Sequence, residues 1–142
     1  MAGEIVVGYD GSDCAKSAVV FAADVAAHYD TGLCIVFCVE PPAVLAGGGA
    51  GDQRRAIAVL GEDFLTEAAA LVGDRGIPVM RELVDARPAD GLVGAADEHD
   101  APVIVIGTTS GGPLASAILG STPHKLLHVS RRPVLVVPAT DD

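Results

Sequence analysis

The apolar residues of this chain follow two patterns that alternate along its length. In short runs almost every residue is apolar, which is typical of strands that helices cover on both faces of a parallel sheet. In longer segments the apolar residues recur at steps of three or four, which is typical of helices. The short runs predict five strands, at residues 5–9, 34–39, 79–84, 103–106 and 134–137.

Four helices are predicted between these strands. The first begins at Ser12 or Asp13, either of which can cap a helix start, and extends to about Tyr29. The second covers residues 52–74, the third 87–97 and the fourth 123–129. The inner faces expected from the spacing are Ala18, Ala22, Val25 and Tyr29 in the first helix, and Ile57, Leu60, Phe64, Ala68 and Leu71 in the second.

The alternation of strand and helix predicts an α/β fold in which right-handed βαβ units build one five-stranded parallel sheet. Helices on both faces make it a three-layer sandwich. A crossover that reverses direction between the first and fourth strands gives the strand order 3-2-1-4-5 and places a ligand site at the carboxyl ends of those two strands. Because the chain has 142 residues and no internal linker, we expect residues 1–142 to form a single domain.

The segment after the fourth strand is rich in glycine and hydroxyl side chains. Gly107 ends the strand, and Gly120, Ser121 and Thr122 precede the last helix. Glycines let backbone amides approach a ligand, and a helix N-terminus carries partial positive charge, so this segment suits an anion such as phosphate. Asp10 ends the first strand and is expected to face the same cleft. A mobile surface loop is the alternative interpretation of the segment.

The spacing within this segment is similar to that of a known nucleotide loop. Gly107 and Gly120 are thirteen positions apart, and Ser121 follows the second of them. This resembles the universal stress protein family, whose loop has Gly, two residues, Gly, nine residues, Gly and then Ser or Thr. Ser110 stands here where the family has its middle glycine. Segments 5–12, 84–89 and 132–138 are also similar to the family's strands, so the resemblance covers nearly the whole chain.

The resemblance implies a Rossmann-like fold of the adenine nucleotide alpha hydrolase type and the binding of ATP. It implies that Asp10 hydrogen-bonds the adenosine part and that Val39, at the end of the second strand, offers backbone groups to the base. Backbone amides would hold the phosphates. The cofactor-binding residues expected on this basis are Gly8, Asp10, Val39, Gly107, Ser110, Gly111, Gly120, Ser121 and Thr122. For Asp10, the alternative is an acidic cap of the turn that follows it.

The chain is strongly acidic, with a formal net charge of -10 and a pI near 4.6. Nucleic acid and anionic membrane surfaces are therefore not expected as partners. The same charge opposes ATP binding unless Mg²⁺ or backbone dipoles offset it, and no Lys or Arg occurs between Val103 and His124. Because the sequence has neither an eighteen-residue apolar stretch nor a basic signal region, we expect a cytoplasmic protein.

The residues offer less support for other chemistry. Cys34 and Cys38 lie in one strand about 13 Å apart, so we expect reduced, structural thiols rather than a disulfide or a shared metal. His124 and His128 are at i and i+4 on the last helix, but no third ligand is obvious, and no metal site is predicted. No P-loop or Ser-His-Asp motif is recognisable. We therefore expect no enzyme beyond a slow ATPase or slow phosphorylation of Ser121.

Two functions stay open from the sequence. The first is a small stress-response regulator whose ATP-bound state governs its contact with an unidentified regulatory protein. The second is an interaction or scaffold dimer of the same fold with a degenerate site. A homodimer is expected in both cases, because Val134–Val137 is an apolar strand at a sheet edge. The glycine-rich loop at 46–51 is interpreted either as a lid over the ligand or as an ordinary surface loop.

Overall fold

The computed structural model describes residues 3–40, 50–109 and 119–140. Within these residues, strands and helices alternate from one end of the chain to the other. The elements are β1 (Ile5–Gly8), α1 (Asp13–His28), β2 (Leu33–Val39), α2 (Ala50–Val72), β3 (Val79–Asp85), α3 (Pro88–Glu98), β4 (Ile104–Gly107), α4 (Ser121–Val129) and β5 (Val134–Val137).

All strand pairs of the sheet are parallel, and the order is β3-β2-β1-β4-β5. The predicted α/β fold and its strand order are thereby confirmed. β1 lies between β2 and β4, with Val7 opposite Val105. The chain therefore leaves β1 at Tyr9 and β4 at Gly107 at the same level of the sheet, which brings the two strand ends side by side.

Two hydrophobic cores lie on opposite faces of the sheet. One contains Ile5 and Val7 of β1 together with buried residues of α1 and α2. The other contains Val6 of β1 together with buried residues of α3 and α4. Because successive strand residues point to opposite faces, an uninterrupted apolar run is needed to fill both cores. The structure is therefore the three-layer sandwich that the apolar runs predict.

The inner faces of two helices differ from the prediction at single positions. Tyr29 caps the C-terminus of α1 and is 49% exposed, so it does not continue the buried stripe of that helix. In α2, Leu60 is 51% exposed, whereas Leu65 and Val72 are buried. The contact of α2 with the sheet passes through Gly61, where an added Cβ would lie 2.6 Å from the Phe37 ring. A hydrophobic pattern misses this position because glycine carries no side chain.

Several element boundaries also move by one or two residues. α2 begins at Ala50, so Gly51 belongs to the helix and not to the predicted loop, whose remaining residues 46–49 lie outside the described part of the chain. α4 begins at Ser121, two residues before the predicted start. Among the described residues, no helix combines the length and the hydrophobicity needed to span a membrane.

Candidate functional site

A cleft opens at the carboxyl ends of β1 and β4, between the first turns of α1 and α4. It contains about 690 Å³ of empty space, counted out to its open mouth. The described residues that line it are Gly8, Tyr9, Asp10, Ser12, Ala15, Val36, Phe37, Cys38, Pro88, Leu92, Ile106, Gly107, Thr109, Gly120, Ser121, Thr122 and Pro123.

Most residues singled out from the sequence lie around this one cleft. The ends of β1 and β4 and the start of α4 all contribute residues to its lining, although β1 is far from the other two in the chain. The expected site residues that line the cleft are Gly8, Asp10, Gly107, Gly120, Ser121 and Thr122. Two further expected residues, Ser110 and Gly111, lie outside the described part of the chain.

Val39 is not among the residues that line the cleft. It is 1% exposed and belongs to the core that α1 and α2 cover. β2 extends beyond β1: Gly8, the last residue of β1, is opposite Val36, and the Tyr9 amide donates to the Val36 carbonyl at 2.9 Å. The cleft therefore meets β2 at residues 36–38, below its last residue. A strand's end in sequence does not reveal how far it projects past its neighbour.

Gly120 is held against the end of β4. Its amide donates to the Thr108 carbonyl at 2.7 Å, and it is the N-cap of α4. A Cβ at this position would lie 3.1 Å from the Thr109 Cα, closer than most side chains are found to backbone. The glycine thus permits the start of α4 to lie beside the strand end.

Backbone groups give the cleft a positive character that its side chains do not supply. The amides of Ser121 and Thr122 are in the first turn of α4 and have no acceptor within the helix. The N-cap of α1, Ser12, lines the same cleft, as does Pro88 at the start of α3. Three helix N-termini therefore converge here, and each carries partial positive charge. Among the described lining residues, Asp10 is the one with a charged side chain.

Asp10 takes part in the turn between β1 and α1. Its Oδ1 accepts a hydrogen bond of 2.9 Å from the Ser12 amide, and its side chain lies at the exposed mouth of the cleft. Gly11 has a φ of +85°, and a Cβ there would lie 2.6 Å from the Phe64 ring. The turn therefore requires glycine, and the carboxylate of Asp10 both orders this turn and faces the cleft.

An aromatic cluster supports the floor of the cleft. The Phe64 ring of α2 stacks on Phe37 at 5.8 Å and meets Tyr9 edge-on at 6.3 Å. The Tyr9 hydroxyl donates to Glu67, and burial, reinforced by this carboxylate, raises the pKa of Tyr9 above its usual value. Tyr9 therefore stays a neutral hydrogen-bond donor. Tyr9 and Phe37 were not predicted from the sequence, because their role follows from α2 packing against both strands.

Two cysteines lie near the cleft. Cys14 is buried, and its Sγ lies 3.3 Å from Thr108 Oγ1. Burial, together with the charge of Glu40, raises the pKa of Cys38 to about 12. A thiol nucleophile needs a lowered pKa, so the surroundings of Cys38 do not favour its reaction as a nucleophile.

The cap at Ser12 gives a first testable prediction. Ser12 Oγ accepts from the Ala15 amide at 3.2 Å, which satisfies one of the free donors at the start of α1. Ser12→Ala should lower the free energy of unfolding by about 1 kcal/mol, whereas Ser12→Asp, which keeps an acceptor, should lose much less. Urea unfolding of the three proteins measures this. Equal midpoints for the alanine and aspartate variants would show that the cap contributes nothing.

Comparison with known proteins gives the chain its family. The model of the universal stress protein family matches residues 1–138. This chain belongs to the universal stress protein family. A universal stress protein of Thermus aquaticus is 34% identical to it over 137 residues, which cover 94% of this chain and 96% of that protein. The family resemblance expected from the nucleotide loop is therefore confirmed.

Two similar universal stress proteins have been solved with a bound ligand. One, solved in complex with cAMP, has a TM-score of 0.74 and 29% identity and covers 99% of this chain and 100% of its own. The other, from Archaeoglobus fulgidus and in complex with dAMP, has a TM-score of 0.72 and 27% identity and covers 96% and 99%. The Rossmann-like fold of the adenine nucleotide alpha hydrolase type is thus shared with relatives that bind adenine nucleotides.

Proposed function

We propose that this universal stress protein binds ATP in the cleft between β1 and β4 and acts as a nucleotide-dependent regulator. The observation that carries the proposal is the convergence of three helix N-termini on a cleft whose lining is largely apolar. Backbone amides there suit phosphate, and the relatives solved with cAMP and dAMP are the precedent for an adenine nucleotide.

The cleft has a polar and an apolar part that match the two ends of a nucleotide. Apolar walls formed by Val36, Phe37, Leu92 and Ile106 suit a purine ring, whose stacking needs apolar surface. The start of α4 suits the phosphates. Asp10, at the mouth between these parts, is placed to accept hydrogen bonds from ribose hydroxyls.

The charge of the protein points to a role for Mg²⁺. The formal net charge is -10, and the described lining contains no Lys or Arg. A divalent cation bound to ATP would reduce the negative charge of the phosphates. The helix N-termini would stabilise the negative charge that remains. We therefore expect MgATP to bind more tightly than ATP without a divalent cation.

Regulation rather than turnover fits the chemistry of the described residues. Cys14 is buried, the pKa of the half-buried Cys38 thiol is raised, and Asp10 already accepts a hydrogen bond from the Ser12 amide. A group that activates water needs a perturbed pKa and a position at the reacting phosphate. We propose at most slow hydrolysis or slow phosphorylation of Ser121.

Calorimetric titration of MgATP into the purified protein tests the proposed function. We expect saturable binding, with measurable but different affinities for AMP and cAMP. If no saturable heat appears up to millimolar MgATP, the proposal is wrong and the alternative, a dimeric interaction module with an emptied site, takes its place.

A homodimer through β5 is part of the proposal. β5 ends the sheet and pairs on one side with β4, while three of its four aliphatic residues are only half-buried. An apolar strand with an open edge invites pairing with a second copy. Leu127 and Val129 of the neighbouring α4 are also exposed, at 55% and 45%, and would extend the buried surface.

Val136→Pro provides a sharp test of this dimer. The Ile104 amide donates to Pro133 and the Thr108 amide to Val137, so the amide of Val136 points away from β4. Proline at this position removes an outward donor and leaves the β4 ladder intact. Light scattering at micromolar concentration should show a dimer for the natural protein and a monomer for the variant, with unchanged circular dichroism. A natural protein that is already monomeric would contradict the proposal.

A further inference from the structure

A cluster of three metal-ligand side chains lies outside the nucleotide cleft. Cys34 is the second residue of β2, Glu82 is on the neighbouring β3, and His99 is the C-cap of α3. One donor atom from each lies within 4.8 Å of the other two. Among the described residues, this is where a thiol, an imidazole and a carboxylate come together.

The cluster is formed by buried or largely buried groups. Cys34 is completely buried, and the side chains of His99 and Glu82 are 12% and 28% exposed. His99 Nε2 lies 3.6 Å from Cys34 Sγ and 2.5 Å from Glu82 Oε1. Glu82 is the most exposed of the three, so we expect an ion to reach the cluster from its side.

The contact of the second ring nitrogen, Nδ1, with Glu4 orients the His99 ring. Nδ1 lies 3.3 Å from Glu4 Oε2, on the residue before β1. Histidine ligands of metals usually donate their second N–H to a carboxylate, which selects the tautomer with a free lone pair on the ligating nitrogen. Glu4 is therefore in the position of such a supporting carboxylate, and Nε2 faces Cys34 and Glu82.

Two distances from His99 can be compared with those of tetrahedral zinc. Bond lengths of about 2.3 Å to sulfur and about 2.0–2.2 Å to nitrogen and oxygen give edges of about 3.6 Å between S and N and about 3.4 Å between N and O. The S to N separation of 3.6 Å already matches. The Nε2 to Oε1 separation of 2.5 Å is a hydrogen bond and must open by about 1 Å. Because Glu82 is on an edge strand and partly exposed, its side chain can make this movement.

The electrostatic surroundings favour a cation. Glu4, Glu82 and Glu98 lie near the Cys34 sulfur, and the C-terminus of α3 adds partial negative charge at His99. Burial and these carboxylates raise the pKa of Cys34 to about 12, so the thiol is neutral without a metal. A divalent cation would offset the carboxylates and stabilise the thiolate.

We propose that Cys34, Glu82 and His99 bind one Zn²⁺, with Glu4 supporting His99 and a water molecule as the fourth ligand. Binding releases the thiol proton of Cys34 and the proton that lies between His99 and Glu82 to solvent, while His99 keeps its Nδ1 proton toward Glu4. The ion would join β2, β3 and the end of α3, at the amino side of the sheet. This site is independent of the nucleotide cleft.

Metal titration of the tag-free, chelator-treated protein tests the proposal. We expect one Zn²⁺ per chain, measured by competition with a chromophoric chelator. Co²⁺ in place of Zn²⁺ should give a thiolate-to-cobalt charge-transfer band and the visible absorption of a tetrahedral ion. Cys34→Ser should abolish the charge-transfer band, and Cys34→Ser and His99→Gln should each weaken Zn²⁺ binding at least tenfold. Glu4→Gln should weaken it by about tenfold, as expected for a supporting residue.

Matched variants separate this site from other thiols and imidazoles. Cys14→Ser removes another buried thiol, and His128→Gln removes one of the paired imidazoles of α4, whose rings lie 4.9 Å apart. Both should bind Zn²⁺ and Co²⁺ as the natural protein does, and circular dichroism checks that each variant is folded. If Cys34→Ser does not fold, the partly exposed His99→Gln decides. Binding that survives His99→Gln, or that disappears with His128→Gln, overturns the proposal.

Discussion

Ser121→Glu is expected to weaken MgATP binding at least tenfold more than Ser121→Gln does. Ser121 is exposed, lines the cleft and is the first residue of α4, where the phosphates are proposed to lie. Glutamate and glutamine have nearly the same size, so the difference between them measures charge alone. A carboxylate at this position repels the phosphates and cancels the positive end of the helix that would attract them. A tenfold difference corresponds to about 1.4 kcal/mol.

The test is calorimetric titration of both variants at two salt concentrations. The difference between them should shrink at high salt, because exposed charges are screened over about 10 Å at 0.1 M ionic strength. Neither variant should unfold, since an acidic residue in the first turn of a helix is favourable. If both variants bind MgATP equally at low salt, the phosphates do not lie at the start of α4, and the proposed orientation of the nucleotide is wrong.

Gly107→Ala is expected to destabilise the protein by about 1–3 kcal/mol. A Cβ at this position would lie 2.6 Å from the Cβ of Cys14 and 2.8 Å from its carbonyl carbon. Because part of this contact is with backbone, rotation of a side chain cannot relieve it, and the first turn of α1 must move away from β4. Gly107 was expected from the sequence to bind phosphate. Its position against α1 adds a packing reason for glycine.

Gly94→Ala is the matched control for this prediction. Gly94 is an exposed residue inside α3, and an added Cβ would have no neighbour within 4 Å. Alanine should therefore stabilise the helix by about 0.5–1 kcal/mol. Urea unfolding should shift in opposite directions for the two variants. If Gly107→Ala is as stable as the natural protein, α1 is not packed as closely on β4 as the structure shows.

The fold was predictable because its two main signals are local. Uninterrupted apolar runs identify strands buried on both faces, and apolar residues at steps of three or four identify the helices that cover them. The positions that were wrong lie where packing departs from pattern. Leu60 is exposed because α2 contacts the sheet through Gly61, and Tyr29 is exposed because α1 ends there.

The candidate site was predictable in part for a topological reason. Asp10, Gly107 and Gly120 follow strands or precede helices, and parallel strands place such ends at one edge of a sheet. The apolar wall was missed, since Leu92 and Phe37 reach the cleft through helix packing and strand register. Val39 was expected to offer backbone groups to the base; its side chain lies in the core, and β2 meets the cleft at residues 36–38.

The sequence by itself determined the fold class, and its resemblance to the family implied the strand order and the edge of the sheet where the nucleotide site is proposed. Only the tertiary structure decided which side chains share a surface. Cys34 and His99 are 65 positions apart, and nothing in their sequence context links them. They meet because β2 lies beside β3 and α3 ends over both strands. Periodicity reports how a segment packs against its neighbours, whereas contacts between distant side chains depend on the register and angle of whole elements.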